Sequence, residues 1–216
     1  MKVYFISGLG ANEKAFKRLK INKDFEPIYL NWKTPETLET FDHYVQRMAE
    51  DINVNEPFHL AGLSFGGILV QEMNDFLNPE KTILISTIRN REEMPSYMKL
   101  TSKVPLHKAI PMQFFTSDKV LSYAFFRKLY DPRLPKLNEF FTEKNPVYLK
   151  WSIDHIINWL PKNVEFNQLY RMHGDKDIVF PATMIKDADI VSGGTHIMVL
   201  QKSKEVSKLL NSYLIA

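Results

Sequence analysis

The sequence contains no cysteine among its 216 residues. Disulfides, thiolate metal sites and a cysteine nucleophile are therefore excluded, and a reducing compartment fits. Nor is there any run approaching the ~18 apolar residues that a membrane span needs, so no membrane partner is expected. The apolar stretch Val3-Tyr4-Phe5-Ile6 is too short for the core of a secretory signal and leads straight into a glycine turn. A strong charge of either sign is also missing. With 28 basic against 25 acidic residues the net charge is +3, and the lysines are scattered, which gives little reason to expect nucleic acid. There are no internal repeats or low-complexity segments. No pair of histidines has metal-ligand spacing with carboxylates nearby, so neither a metal nor another cofactor is expected. What remains is an ordinary globular composition, 44% hydrophobic and 25% charged. The length suffices for one domain with a large core and an inserted subdomain. A soluble, cytoplasmic protein is the resulting expectation. Its oligomeric state is not legible.

The stretch from Pro57 to Leu77, PFHLAGLSFGGILVQEMNDFL, organises the rest. Phe58, Leu60 and Ala61 read as a short buried strand. Gly62-Leu63-Ser64-Phe65-Gly66 follows, and Ile68, Leu69, Met73, Phe76 and Leu77 then recur at helical spacing. A serine between two glycines, joining a strand to a helix, is the nucleophile-elbow pattern. Glycine relieves crowding at positions 62 and 66, the tight turn lifts the Ser64 hydroxyl clear, and the Phe65 N–H points to where an oxyanion would form.

Taken in order, strands are expected at Val3 to Ile6, Pro27 to Leu30, the elbow, Lys81 to Ile85, Gln168 to Met172 and Ala188 to Val191. Asn12 is a plausible cap for a brief helix carrying Phe16 and Leu19. Thr34-Pro35-Glu36 reads as a helix start, and Leu38, Phe41, Val45, Met48 and Ile52 as that helix's buried face, with His43 off it on the surface. Asn78-Pro79 would stop the elbow helix. A final helix, capped by Ser203, would bury Val206, Leu209, Leu210, Tyr213 and Leu214. Strand alternating with helix predicts a parallel sheet covered on both faces, with ligands bound beyond the carboxyl ends of the strands. The alternation breaks between Arg89 and Pro161. There, prolines separate helix-like pieces rich in aromatics, including Phe140, Phe141, Tyr148, Trp151 and Trp159. This predicts a core of residues 1–88 and 162–216 with an inserted helical lid at 89–161. Trp151 and Trp159, eight apart on a helix from Tyr148 to Leu160, would share a face that is either pocket wall or lid core.

A serine hydroxyl needs a base, and the base needs a carboxylate to fix its tautomer. His196 follows the last strand and Asp177 lies just beyond the strand before it, at the same end of the sheet as Ser64. Asp175 shares that loop and is the rival acid. His173 reads as structural, and His59, His107 and His155 as scaffold.

With Gly62-Leu63-Ser64-Phe65-Gly66, His173-Gly174-Asp175-Lys176-Asp177 followed by Ile178, Val179 and Pro181, and Gly194-Thr195-His196, the chain resembles the α/β-hydrolase superfamily over nearly its whole length. The resemblance implies an α/β-hydrolase fold with about six mostly parallel strands, helices on both faces and the inserted lid. It implies a Ser64–His196–Asp177 triad and a second oxyanion donor from Leu9, in Ser7-Gly8-Leu9-Gly10, beside that of Phe65. Ser7 departs from the histidine that usually precedes this glycine, which a backbone donor tolerates. The implied activity is hydrolysis of a small carboxylic ester through an acyl-enzyme. The alternatives are a thioesterase or acyltransferase using the same triad, and a ligand-binding protein without turnover.

Overall fold

Six strands form one sheet in the computed structural model, which describes residues 1–103, 111 and 140–216. They are β1 (Lys2–Ile6), β2 (Glu26–Leu30), β3 (Phe58–Leu63), β4 (Lys81–Ile85), β5 (Leu169–Gly174) and β6 (Asp189–Val191). The order is β2-β1-β3-β4-β5-β6, and every neighbouring pair is parallel. Connections run outward in opposite directions from β1 and β3, so the crevice beyond their carboxyl ends is where such a sheet binds ligands. Ile6 at the end of β1 pairs with Gly62 of β3 and with Leu30 of β2. That register brings the loops after all three strands to one place.

Apolar residues on these strands point alternately to two cores, as period-2 geometry requires. Tyr4, Ile6, Leu60 and Leu84 face one cluster with α1 (Phe41–Ala49) and α2 (Phe65–Met73). Val3, Phe5, Ala61, Ile83 and Ile85 face the other. There they meet a 3-10 turn (Glu13–Phe16), α5 (Met198–Gln201) and α6 (Ser203–Ile215). Between β4 and β5 the described residues form α3 (Ser96–Lys103) and α4 (Pro146–Asn158) and no strand. Residues 104–110 and 112–139 lie outside the described ones, and with them His107 and the expected lid aromatics from Phe114 to Tyr130. Of the described aromatics there, four bury themselves against the core, while Trp151 is partly buried and Tyr97 exposed. Phe140 and Phe141 are 4% exposed, Tyr148 is fully buried and Trp159 is 3% exposed.

Several boundaries differ from the sequence reading. The first long helix starts at Phe41, not Pro35, because Thr40 supplies the cap with its hydroxyl oxygen accepting from the His43 N–H. Leu38 is 96% exposed with φ at 59°, so it leaves the buried face, which Tyr44, Val45, Met48 and Ile52 make instead. Glu39 explains the delay. Its carboxylate accepts from the Glu36 N–H at 2.8 Å and from Arg47 Nε and Nη2 at 2.7 and 2.8 Å, a geometry that folds residues 36–39 into a turn. The elbow helix ends at Met73, and Phe76 is half-exposed. Ser203 is the first residue of α6 rather than its side-chain cap. Helix α4 ends at Asn158, so Trp159 leaves it. The two indoles reach the core separately, Trp151 Nε1 donating to the Glu39 carbonyl at 3.1 Å and Trp159 Nε1 to Glu72 Oε1 at 2.7 Å.

Candidate active site

The elbow is built by close backbone packing. A Cβ on Gly62 would lie 2.4 Å from the Gly66 carbonyl oxygen, and one on Gly66 would lie 2.3 Å from that of Ile6. Only glycine lets α2 start so close to β1 and β3. Ser64 pays in conformation, with φ at 53° and ψ at −117°, a left-handed region that costs a non-glycine residue about 1–3 kcal/mol. Hydrogen bonds on both sides hold it there: its N–H donates to the Ile85 carbonyl at 2.9 Å, and its carbonyl accepts from Thr87 Oγ1 at 2.7 Å and from the Gly67 and Ile68 N–H groups at 2.9 and 3.3 Å.

Around this serine the structure brings together the residues expected from the sequence. Ser64 Oγ is 2.8 Å from His196 Nε2, and His196 Nδ1 is 2.8 Å from Asp177 Oδ2. His196 and Asp177 are 3% and 4% exposed, which keeps both contacts away from bulk water. Because the carboxylate accepts at Nδ1, the ring carries its proton there and presents the Nε2 lone pair to the serine hydroxyl. Burial works against ionisation of Asp177. The positive charge that His196 carries when protonated, and hydrogen bonds from His173 and His196, outweigh it, holding the carboxyl well below the ordinary carboxylate range. Its Oδ1 also accepts from the Val179 and Phe180 N–H groups at 2.8 and 3.0 Å.

Asp175 is placed elsewhere. Its Oδ1 accepts from the Gly193 N–H at 2.6 Å and so ties the loop that carries His196 without touching that ring. His173 does more than end a strand. Its Nε2 lies 2.8 Å from the Phe180 carbonyl, so it carries a proton, and it is also 3.3 Å from Asp177 Oδ2. That contact was not anticipated from the sequence. Its signal is the four-residue spacing to Asp177 across a strand-ending turn.

The loop after β1 lies against the serine. A Cβ on Gly8 would be 3.3 Å from Ser64 Cβ and 3.9 Å from Oγ. Among the described residues, the N–H groups of Leu9 and Phe65 make no hydrogen bond. Two open backbone donors beside a serine, one on the loop after β1 and one at the first residue of α2, suit a developing oxyanion. As for metals, Glu36, Glu39 and His43 bring ligand-type atoms within 4.8 Å of one another. Arg47 already occupies Glu39 and Glu36, which makes the trio part of an ion-pair network. Among the described residues no helix is long and apolar enough to cross a membrane.

By sequence, the chain matches no family model and no curated protein. By structure it is similar to many solved proteins. A thermophilic esterase from Thermogutta terrifontis aligns at 14% identity over 99% of this chain and 89% of that one, with a TM-score of 0.74. A hydrolase from Pseudomonas aeruginosa PA01 aligns at 16% identity over 100% and 90%, TM-score 0.70. An epoxide hydrolase from Bacillus megaterium aligns at 13% identity over 100% and 93%, TM-score 0.68. At such identities the likeness establishes architecture alone. The chain has the α/β-hydrolase fold.

Proposed function

We propose that the protein is a serine hydrolase that cleaves a small carboxylic ester through an acyl-enzyme. The observation that carries this reading is the unbroken chain of 2.8 Å contacts from Ser64 Oγ through His196 to Asp177. Similarity to an esterase of the same fold is in keeping with it.

In the first half-reaction Ser64 Oγ forms a bond to the acyl carbon while its proton passes to His196 Nε2. The carbonyl oxygen becomes an oxyanion and accepts from the Leu9 and Phe65 N–H groups. Asp177 holds the ring and offsets the imidazolium charge. Collapse breaks the bond to the leaving oxygen, which takes the proton from His196 and departs as the alcohol. Water then loses a proton to His196 as it attacks the acyl-enzyme. The carboxylic acid leaves as the Ser64–acyl bond breaks and His196 returns the proton to Oγ. No metal or cofactor is needed for any step. The absence of cysteine and of a strong charge fits a cytoplasmic enzyme whose partner is a small molecule rather than nucleic acid or membrane.

The test is turnover of p-nitrophenyl acyl esters by the wild type and by Ser64→Ala. Wild-type hydrolysis that disappears in the variant supports the reading. Equal rates in both remove Ser64 from its role. Ligand binding by a wild type without any turnover would favour a binding protein.

A further inference from the structure

Ser7 stands where a histidine would precede the oxyanion glycine, and its surroundings suggest what takes over the work. Gly8 to Ala11 form a turn closed by the Ala11 N–H donating to the Gly8 carbonyl at 3.0 Å, with Gly10 at φ 70° in its third position. The indole of Trp32 reaches this turn from just beyond β2, whose last residue Leu30 pairs with Ile6. Its Nε1 lies 3.1 Å from Ser7 Oγ and 3.2 Å from the Gly8 carbonyl oxygen. An indole nitrogen can only donate. Ser7 Oγ therefore accepts from it and spends its own proton on the Ala11 carbonyl, 2.7 Å away. Every donor and acceptor in the group has one consistent assignment.

The plane of the indole is fixed as well. It stacks on Phe65 at 5.2 Å between centroids and 12° between planes, and it meets Tyr148 of α4 at 5.4 Å. The Tyr148 hydroxyl in turn lies 3.4 Å from the Gly10 nitrogen, which donates to it.

The Gly8 carbonyl and the Leu9 N–H belong to one peptide unit. That unit is planar and trans, so the two groups point in opposite directions. Whatever pins the Gly8 oxygen therefore aims the Leu9 N–H. We propose that Trp32 is a positioning residue for the oxyanion loop: its indole N–H, through Ser7 Oγ and the Gly8 carbonyl, sets the direction of the Leu9 donor. This rests on the hydrolase reading above and adds a residue 25 positions away from Ser7 to that site.

Trp32→Phe keeps an aromatic ring to stack on Phe65 and removes the N–H together with the second ring of the indole. Hydrolysis of a p-nitrophenyl ester should show kcat falling roughly 10- to 100-fold, with KM within about twofold. A trifluoromethyl ketone, which forms a tetrahedral adduct at the serine, should bind more weakly by the same factor as kcat/KM falls. A merely structural role would lower the titre of active sites without changing this ratio. Ser7→Ala, which leaves the Gly8 contact in place, should fall less, and the double variant should fall little further than Trp32→Phe alone. If Trp32→Phe retains wild-type kcat and ketone affinity, the proposal is overturned. A loss confined to KM overturns it too. If Trp32→Phe does not fold, an unimpaired Ser7→Ala overturns it by itself. A wild type that turns over no ester overturns the hydrolase reading instead, a result distinct from an active wild type with an unimpaired variant.

Discussion

Replacing Asp177 by asparagine perturbs the site in a way the geometry makes specific. Oδ1 receives two backbone N–H groups, from Val179 and Phe180, so the amide oxygen of an asparagine must take that position. Its NH2 then occupies the place of Oδ2, 2.8 Å from His196 Nδ1 and 3.3 Å from His173 Nε2. His173 already carries a proton on that nitrogen, so one new contact sets donor against donor. His196 can answer only by moving its proton to Nε2, which leaves no lone pair for the Ser64 hydroxyl. The same tautomer error in a serine triad costs about 10⁴ in rate, or about 5 kcal/mol of barrier. Asp177→Asn should therefore lose about four decades in kcat/KM on a p-nitrophenyl ester. Asp175→Asn, whose carboxylate among the described residues reaches the Gly193 N–H and Lys176, should lose less than about tenfold. Active-site titration of folded protein corrects both values. If Asp177→Asn stays within tenfold of wild type, or if Asp175→Asn proves the more damaged, the assignment of the acid fails.

Three further outcomes follow from packing and charge. Gly66→Ala drives a Cβ to 2.3 and 2.5 Å from the Ile6 and Ser7 carbonyl oxygens, so it should cost at least 1–3 kcal/mol in urea unfolding and over 100-fold in kcat; near-normal values of both would contradict the elbow packing. Burial raises the Glu72 carboxyl despite its bond from Trp159, so the folded state holds this proton more tightly than the unfolded one and stability falls as pH rises through the raised value. Glu72→Gln keeps an acceptor for the indole and should melt a few degrees higher than wild type at pH 8, an expectation that a lower melting temperature would refute. His59 is 2% exposed and its Nδ1 has no partner among the described residues, and burial, then Lys81 and the N-terminus, push it down from 6.5 to about 4. The unfolded chain therefore binds the extra proton first. About 3 kcal/mol should be lost as pH falls from about 6.5 to 4, in a limb that His59→Leu flattens when stability is followed by urea titration across that range; an unchanged slope would count against it.

Local chemistry accounts for what could be read directly. All eight glycines cluster around the carboxyl ends of β1, β3, β5 and β6, where the backbone turns or is approached closely: Gly8 and Gly10 follow β1, Gly62 lies near the end of β3 with Gly66 and Gly67 in the first turn of α2, Gly174 ends β5, and Gly193 and Gly194 follow β6. These segments also carry the turn of Gly8 to Ala11, Ser64, Asp177 and His196, so short motifs mark residues that the fold brings together. The same locality misled at Thr34-Pro35-Glu36. It has the signs of a helix start, yet Arg47, eight residues beyond Glu39, binds that carboxylate and moves the start to Phe41, with Thr40 as the cap. Trp32 and Ser7 are adjacent only because β2 pairs with β1, and no spacing rule announces that. The aromatics between Arg89 and Pro161 pose the same difficulty. Tyr148 is bound to Gly10 in the turn after β1 and Trp159 to Glu72, contacts 138 and 87 residues long in sequence.

The central claim, that Ser64 is the nucleophile, is tested most directly by treating the protein with a fluorophosphonate and mapping the adduct by mass spectrometry. The predicted result is a single phosphonyl group on the peptide that contains Ser64, with none in Ser64→Ala. An unlabelled wild type, or an adduct on another residue that persists in the variant, would contradict it.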